Sequence, residues 1–331
     1  MSTRPTTCSA IARAAAVPLA GTASTALGYV CIEHNGPWGP KILKDVEFGP
    51  PGSPAAGLAT HLVANLPAGI TPLLIRRHGS RHGIPARPTV AVIALTPHGG
   101  RGITTTVPSL DDAAALDPRA LINHARLGSL PSGWRELGPT YLVCTHTKRD
   151  QCCAVLGRPV AGTLAALRPE NTWEVSHLGG HRMAPNVVTL PDGVHYGQLD
   201  AAQCADLVQA NEAGELLVAN MRGRAALAPA VQAAEIALRE REAITHTDGL
   251  RLVSVTASAL TDSDLPPDHG PLTISSWEET ASRARWDITV VTATPAGPPV
   301  SISCGAEPVT PPPEQLVRSR RRTAPTIHRL G

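Results

Sequence analysis

Aromatic residues and lysine are both scarce in this chain. Only 3% of the 331 residues are aromatic, so Leu, Val, Ile and Ala must supply most of the core. Lysine occurs only at Lys41, Lys44 and Lys148, and arginine therefore carries almost all of the positive charge. The net charge of +2 gives no indication of a nucleic-acid partner, and we expect none.

A long apolar run is also missing. No window approaches the roughly 18 uninterrupted apolar residues of a membrane span, so we expect no membrane association. The alanine-rich stretch at 10–19 contains Arg13 and Pro18, which makes it a poor secretory signal peptide. With 42% hydrophobic and 17% charged residues, the chain is typical of a globular protein, and we expect a cytoplasmic location.

The seven cysteines do not have the pattern of a disulfide framework. Their number is odd, and Cys144, Cys152 and Cys153 fall within ten residues, close to several histidines. In a cytoplasmic chain, such crowding indicates metal or redox chemistry rather than structural disulfides.

The chain divides into regions with different patterns. An N-terminal α/β region covers residues 1–132, with predicted helices at 56–65 and 111–126 between short apolar strands. A central domain covers residues 133–215, and a C-terminal helix and strand segment that packs on it covers residues 216–310. The proline- and arginine-rich residues 311–331 are expected to form a disordered tail.

The central domain has the clearest succession of elements. Its apolar periodicity predicts strands at 140–144 and 172–176, helices at 152–167 and 201–211, and hairpin strands at 186–190 and 194–199. The hairpin turn is Pro191-Asp192-Gly193, in which proline fixes φ and glycine accepts a positive φ. The predicted fold class is therefore α/β.

Four soft or borderline metal ligands stand where such a fold brings them together. Cys144 ends a predicted strand and Cys153 begins the next helix, while His177 follows the second strand and His181 comes four residues later. Cysteine and histidine together select zinc, copper or iron–sulfur. The histidine spacing suits a zinc knuckle, whereas the eight residues between the cysteines suit a wider cluster. Spacing alone therefore leaves zinc and a two-iron cluster equally open.

The motifs around these residues indicate a family. They are Val143-Cys144-Thr145-His146, Asp150-Gln151-Cys152-Cys153-Ala154, His177-Leu178-Gly179-Gly180-His181, Leu190-Pro191-Asp192-Gly193 and, further along the chain, Ser303-Cys304-Gly305. Residues 141–216 resemble the thioredoxin-like ferredoxin domain, and most of the chain is similar to the sucrase/ferredoxin-like family. In that family, two cysteines separated by eight residues and a His-x-Gly-Gly-His pair ligate a [2Fe–2S] cluster. The resemblance implies that the ligands are Cys144, Cys153, His177 and His181, and it favours iron–sulfur over zinc.

The resemblance implies a non-enzymatic electron carrier or redox-responsive protein. No nucleotide-binding motif is present, so electrons should come from or pass to a partner, either a reductase or an acceptor protein, that the sequence does not identify. Two alternatives stay open: a zinc-stabilised interaction protein, and a thiol oxidoreductase that uses Cys152 and Cys153 on a thioredoxin-like scaffold. No residue pattern predicts the oligomeric state.

Other residues near the constellation have less specific patterns. Arg149 and Arg182 are candidates for tuning a cluster, and Cys304 for a second redox thiol or a packing residue. We expect His146 to form a hydrogen bond in the ligand loop and His195 to lie on the surface. The basic residues at 76–82 suggest a solvated loop or a docking patch for an acidic partner.

Overall fold

The computed structural model describes residues 7–83, 85–258, 270, 272–295 and 297–323. The fold is mixed α/β, as predicted, with one large curled sheet and one smaller sheet. The strands are β1 (Gly28–Glu33), β2 (Ile70–Arg76), β3 (Thr89–Thr96), β4 (Gly99–Thr106), β5 (Arg135–Glu136), β6 (Thr140–Cys144), β7 (Thr172–Val175), β8 (Val187–Leu190), β9 (Val194–Tyr196), β10 (Met221–Arg224), β11 (Leu250–Ser258), β12 (Leu272–Glu279), β13 (Arg285–Ala293) and β14 (Glu314–Thr323).

The helices confirm most of the predicted positions. They are α1 (Cys8–Ala14), α2 (Ile42–Asp45), α3 (Leu58–Asn65), α4 (Leu110–Ala114), α5 (Pro118–Leu127), α6 (Gln151–Leu167), α7 (Gln203–Glu212) and α8 (Pro229–Glu242). The single helix expected at 111–126 is wrong, because Asp117 caps a new helix that begins at Pro118. Within the described part of the chain, no helix is long and apolar enough to cross a membrane.

The large sheet contains the same topology twice. Its order is β10-β9-β8-β6-β7-β2-β1-β3-β4-β5. In the first half, β1 pairs in parallel with β2 and antiparallel with β3, the first strand of the β3–β4 hairpin. In the second half, β6 pairs in parallel with β7 and antiparallel with β8, the first strand of the β8–β9 hairpin. The halves meet where β2 and β7 run antiparallel, with Ile75 opposite Val175. The chain therefore repeats a fold unit although no repeat is evident in the sequence.

This junction joins the N-terminal region to the central domain in one hydrophobic core. Leu73 and Ile75 of β2 lie in the same buried cluster as Leu142 of β6 and Val175 of β7. One sheet thus crosses the predicted boundary at residues 132 and 133. The division of the chain into domains stays a prediction.

The C-terminal part adds a four-stranded antiparallel sheet, β11-β12-β13-β14, with α8 against it. Residues 314–323 form β14, whereas we expected a disordered tail from residue 311. Leu316 and Val317 explain the difference, because each packs against a different apolar cluster of the small sheet. The burial of these two side chains stabilises the strand despite the neighbouring arginines. The predicted tail beyond residue 323 lies outside the described residues.

Candidate metal centre

The ends of two parallel strands position the first two candidate ligands. β6 and β7 are neighbours, and Cys144, the last residue of β6, lies opposite Val175, the last residue of β7. His177 follows two residues later, so its side chain emerges at the same sheet edge. The prediction that neighbouring strand ends bring Cys144 and His177 together is confirmed.

Helix α6 brings Cys153 to the same edge. Asp150 caps the helix by accepting a hydrogen bond from the Cys152 N–H at 2.8 Å, which places Cys153 in the first turn. Gly157 lets the helix approach the strand end closely, since a Cβ at this position would lie 2.2 Å from the carbonyl oxygen of Cys144. The start of α6 is therefore fixed against the end of β6.

Three of the four predicted ligands form one group. The Sγ atoms of Cys144 and Cys153 and a ring nitrogen of His177 all lie within 4.8 Å of one another. Both cysteines are buried, and His177 is partly exposed. The donor set combines soft sulfur with borderline imidazole nitrogen, which suits zinc, copper or an iron–sulfur cluster.

His181 lies beside this group rather than within it. Its ring centroid is 5.1 Å from that of His177, and its Nε2 atom faces Oδ2 of Asp150 at 3.7 Å. Burial lowers the pKa of His181, which favours the neutral imidazole, the form that binds metals.

The contact between the two cysteines shifts their pKa values in opposite directions. A hydrogen bond from Cys153 and a second one from His177 hold the pKa of Cys144 below its usual value, although burial acts in the opposite direction. The same contact with Cys144 raises the pKa of Cys153. These contacts favour the thiolate form of Cys144, which is the form of cysteine that binds metals.

The histidines keep unused ligand capacity. Among the described residues, nothing forms a hydrogen bond with the buried Nδ1 atom of His177 or with that of His181. A buried polar atom without a partner costs on the order of 1–3 kcal/mol, and a metal at the centre or a proton acceptor beside it would remove that cost. The donor set and these atoms fit a bound metal ion or an iron–sulfur cluster.

The loop between the histidines depends on two glycines with positive φ. Gly179 has a φ of 81° and Gly180 a φ of 66°, which confirms the expected sharp turn. A Cβ at Gly179 would lie 2.0 Å from Oγ of Ser24, and one at Gly180 would lie 2.1 Å from Nη2 of Arg222. Neither position has room for a side chain.

Arg222 is a functional candidate that sequence analysis missed. It is fully buried on β10, and burial lowers its pKa to about 10, while the negative Cys144 acts to raise it. Its guanidinium donates hydrogen bonds to Thr22, to the carbonyl oxygen of Gly179 and to Oδ1 of Asn186. No carboxylate of the described residues forms an ion pair with it. Arg222 therefore provides a buried positive charge near the cysteine sulfurs.

The predicted tuning arginines are less buried than Arg222, and the charge of Arg149 acts to lower the pKa of His181. Arg149 is exposed, and Arg182 is half-buried near Cys8 and Glu314. No local pattern pointed to Arg222, because 78 residues separate it from Cys144 and only the pairing of β10 with β9 brings it to the site.

Cys152 does not join the first centre. Its Sγ atom belongs to a second group, formed with Cys8, Cys304 and a carboxylate oxygen of Asp150. A hydrogen bond from Cys8 lowers the pKa of Cys152 to about 6. The adjacent cysteines of α6 thus serve two different groups of side chains.

Two further expectations, for His146 and His195, have clear outcomes. The Nε2 atom of His146 forms the expected hydrogen bond, 2.9 Å from the carbonyl oxygen of Gly39. His195 is not a surface residue: it is buried, with Nε2 2.9 Å from the hydroxyl of Tyr29. The hairpin that carries His195 is covered on both faces, by the clusters around Val188 and Val187.

The basic segment 76–82 is exposed or partly exposed after Arg76, as expected of a solvated loop, but part of it is anchored to a buried carboxylate. Arg76, His78 and Arg81 all contact the fully buried Glu174, at 2.9, 2.9 and 3.3 Å. Glu174 also accepts a hydrogen bond from the hydroxyl of Thr145 at 2.9 Å, next to Cys144. The guanidinium groups of Arg76 and Arg81 neutralise a buried carboxylate that supports the ligand loop.

Comparisons with known proteins identify a family for most of the chain. A family model described as sucrase/ferredoxin-like matches residues 19–223, which include all four predicted ligands and Arg222. A 96-residue alignment with altered inheritance of mitochondria protein 32 of Candida glabrata shows 28% identity and covers 24% of this chain. It spans only 31% of that relative's length. No solved structure matches the chain.

Proposed function

Because the chain belongs to the sucrase/ferredoxin-like family, we propose that it transfers single electrons by means of a [2Fe–2S] cluster. The proposed ligands are Cys144, Cys153, His177 and His181. The central observation is the convergence of both sulfurs and a His177 nitrogen within 4.8 Å. The thioredoxin-like description of the central domain is part of this proposal, and the order of β6, α6, β7 and the β8–β9 hairpin supports it.

The ligand set would give the cluster a high reduction potential. Two thiolates and two neutral imidazoles leave an oxidised cluster with a formal charge of about zero, whereas four thiolates leave about −2. Clusters with two histidines have potentials of roughly −150 to +300 mV, against about −400 mV for plant-type ferredoxins. We expect a potential well above the plant-type value.

The buried charge of Arg222 acts in the same direction. An added electron makes the centre more negative, and a nearby cation that pairs with no carboxylate of the described residues stabilises that state. In the low dielectric of the interior this attraction is only weakly screened by salt. Arg222 should therefore raise the potential.

The histidines would couple electrons to protons. Each imidazole that binds through one nitrogen leaves the other to hold a proton, and added negative charge raises the pKa of that proton. His181 already has an acidic neighbour, Asp150, at 3.7 Å. We expect the potential to fall as pH rises.

The partner is proposed to be a reductase or an electron acceptor. His177 and His181 are the partly exposed members of the ligand set, whereas both cysteines are buried. Electrons would therefore enter or leave at the histidine side. The cytoplasmic location stays a prediction.

Metal and sulfide analysis after anaerobic purification tests the proposal. Wild type should contain about two irons and two sulfides per chain, and Cys144→Ser and His181→Ala should lose most of both. Cys204→Ser is the matched control, because Cys204 is equally buried but belongs to neither group. Zinc in place of iron, lost from the same two variants, would refute the electron-transfer proposal in favour of a structural zinc site. The sulfurs of Cys152 and Cys153 belong to different groups of side chains, so the structure does not support a thiol oxidoreductase that uses these two cysteines as a pair.

A further inference from the structure

Three cysteine sulfurs from distant parts of the chain meet outside the first centre. The Sγ atoms of Cys8 and Cys152 are 3.3 Å apart, those of Cys152 and Cys304 are 3.0 Å apart, and those of Cys8 and Cys304 are 3.6 Å apart. A carboxylate oxygen of Asp150 lies within 4.8 Å of all three. All three cysteines are free thiols.

We propose that these four residues form a second metal site, which binds a thiophilic divalent cation of the Zn²⁺ class through three thiolates and one carboxylate. Tetrahedral zinc with Zn–S bonds of about 2.3 Å separates its sulfur ligands by about 3.8 Å. The three observed separations are shorter than this value, by about 0.2 to 0.8 Å. A disulfide bond would instead require about 2.05 Å.

The carboxylate is oriented before any cation arrives. Asp150 is buried, and its Oδ1 atom accepts the Cys152 N–H at 2.8 Å. Its Oδ2 atom accepts hydrogen bonds from the Ser303 hydroxyl at 2.8 Å and the Cys304 N–H at 2.9 Å. Such bonds are typical of the residues that hold metal ligands in place. Ordinary core cysteines pack as small apolar groups and do not surround a carboxylate in this way.

The second site is built partly from outside the family match. Cys8 and Cys304 lie beyond residues 19–223, so the site uses parts of the chain that flank the matched region. A cation there would connect α1, the start of α6 and the loop that carries Cys304.

This connection reaches the first centre. Ser9, next to Cys8, donates a hydrogen bond at 2.6 Å to the carbonyl oxygen of Ala184, which ends the turn that begins at His181. Asp150 also faces His181 at 3.7 Å. A cation at the second site would therefore fix the turn that carries one histidine of the first centre.

Zinc and iron analysis of the holoprotein tests the second site. Wild type and the control Cys204→Ser should contain about one zinc per chain. Cys8→Ser and Cys304→Ser should lose that zinc and keep most of the iron and sulfide, because neither residue is a ligand of the first centre. Co²⁺ added to zinc-depleted wild type should give sulfur-to-cobalt charge-transfer absorption, which the two variants lack. The cobalt spectrum of wild type keeps the test decisive where a serine variant fails to fold.

The possible failures separate the two proposals. Iron and sulfide without zinc or cobalt binding would overturn the second site alone. Mass spectrometry that shows a native Cys152–Cys304 disulfide would also overturn it. Zinc that is lost from Cys8→Ser and Cys304→Ser in a protein without iron would support the second site and refute the proposed function. Zinc that survives in both variants and is lost from Cys144→Ser would overturn both proposals.

Discussion

Replacing Gly180 by alanine should damage the candidate metal centre through packing rather than through ligand chemistry. Gly180 has a φ of 66°, and an added Cβ would lie 2.1 Å from Nη2 and 2.8 Å from Cζ of Arg222. The guanidinium cannot easily move aside, because it is fully buried and hydrogen-bonded to Thr22, Gly179 and Asn186. The loop between His177 and His181 must shift instead.

The magnitude follows from two separate costs. A left-handed conformation costs a residue with a Cβ about 1–2 kcal/mol. Overpacking of a filled site costs typically about 1–3 kcal/mol more. Gly214 isolates the first cost, since its φ is 70° and a Cβ there would meet nothing within 4 Å. Gly180→Ala should therefore be about 1–3 kcal/mol more destabilising than Gly214→Ala.

Thermal unfolding and iron content measure the difference. At roughly 2–4 °C per kcal/mol for a large domain, Gly180→Ala should melt at least about 2 °C below Gly214→Ala. Gly180→Ala should also retain less iron, whereas Gly214→Ala should bind as much iron as wild type. Equal melting temperatures together with full iron occupancy in both variants would refute the claim that Gly180 and Arg222 hold the histidine loop.

Two further predictions concern buried charge. Two unit charges about 10 Å apart at an effective dielectric constant of about 20 interact by about 1.7 kcal/mol, or about 70 mV for one electron. Arg222→Gln should lower the reduction potential by tens of millivolts in a redox titration, while Arg119→Gln, at an exposed position on α5, should change it little. A potential of Arg222→Gln equal to that of wild type would exclude the proposed effect. Burial lowers the pKa of His195 to about 3, so the folded state resists a proton that the unfolded chain accepts below about 6.5. The contribution of His195 to the free energy of unfolding should thus be complete above about pH 6.5. It should fall by up to about 1.4 kcal/mol per pH unit as the pH decreases towards 3. In thermal melts at different pH values, His195→Gln should reduce the slope of the unfolding free energy against pH by the contribution of one proton. His98→Gln, at an exposed position, should leave that slope unchanged. An unchanged slope in His195→Gln would contradict the burial argument.

The convergence of the candidate ligands was predictable because it follows from local patterns. A strand that ends in Cys144, a helix that begins near Cys153 and a strand followed by His177 each have a short-range signal. Parallel pairing of β6 and β7 then brings the strand ends together. The two glycines between the histidines likewise indicate the tight turn directly.

The remaining features depend on contacts between distant residues. Arg222 is 78 residues from Cys144, and the sulfur of Cys304 lies beside Cys152 although 152 residues separate them. Periodicity carries no information about such pairings. The surface position predicted for His195 was wrong for a related reason. The alternation of apolar and polar residues indicated a hairpin with one exposed face, but Tyr29 in the other half of the sheet contacts His195 and that half covers this face.

The arginine-rich C-terminal residues show the limit of composition as evidence. A run of arginine after three prolines is typical of a disordered tail. Residues 314–323 nevertheless pair along β13, because the strand needs only a few apolar side chains on its inner face. The pairing partner, rather than the local sequence, decides the outcome.

Pulsed electron paramagnetic resonance of the reduced protein tests the central claim most directly. The protein would be purified anaerobically after labelling with ¹⁵N-histidine, and reduced by one electron. We predict an iron–sulfur signal coupled to two histidine nitrogens, with one coupling lost in His177→Cys and a spectrum that shifts in that variant. A signal with no histidine coupling, or a colourless protein with no iron signal at all, would contradict the assignment of Cys144, Cys153, His177 and His181 as the ligands of a [2Fe–2S] cluster.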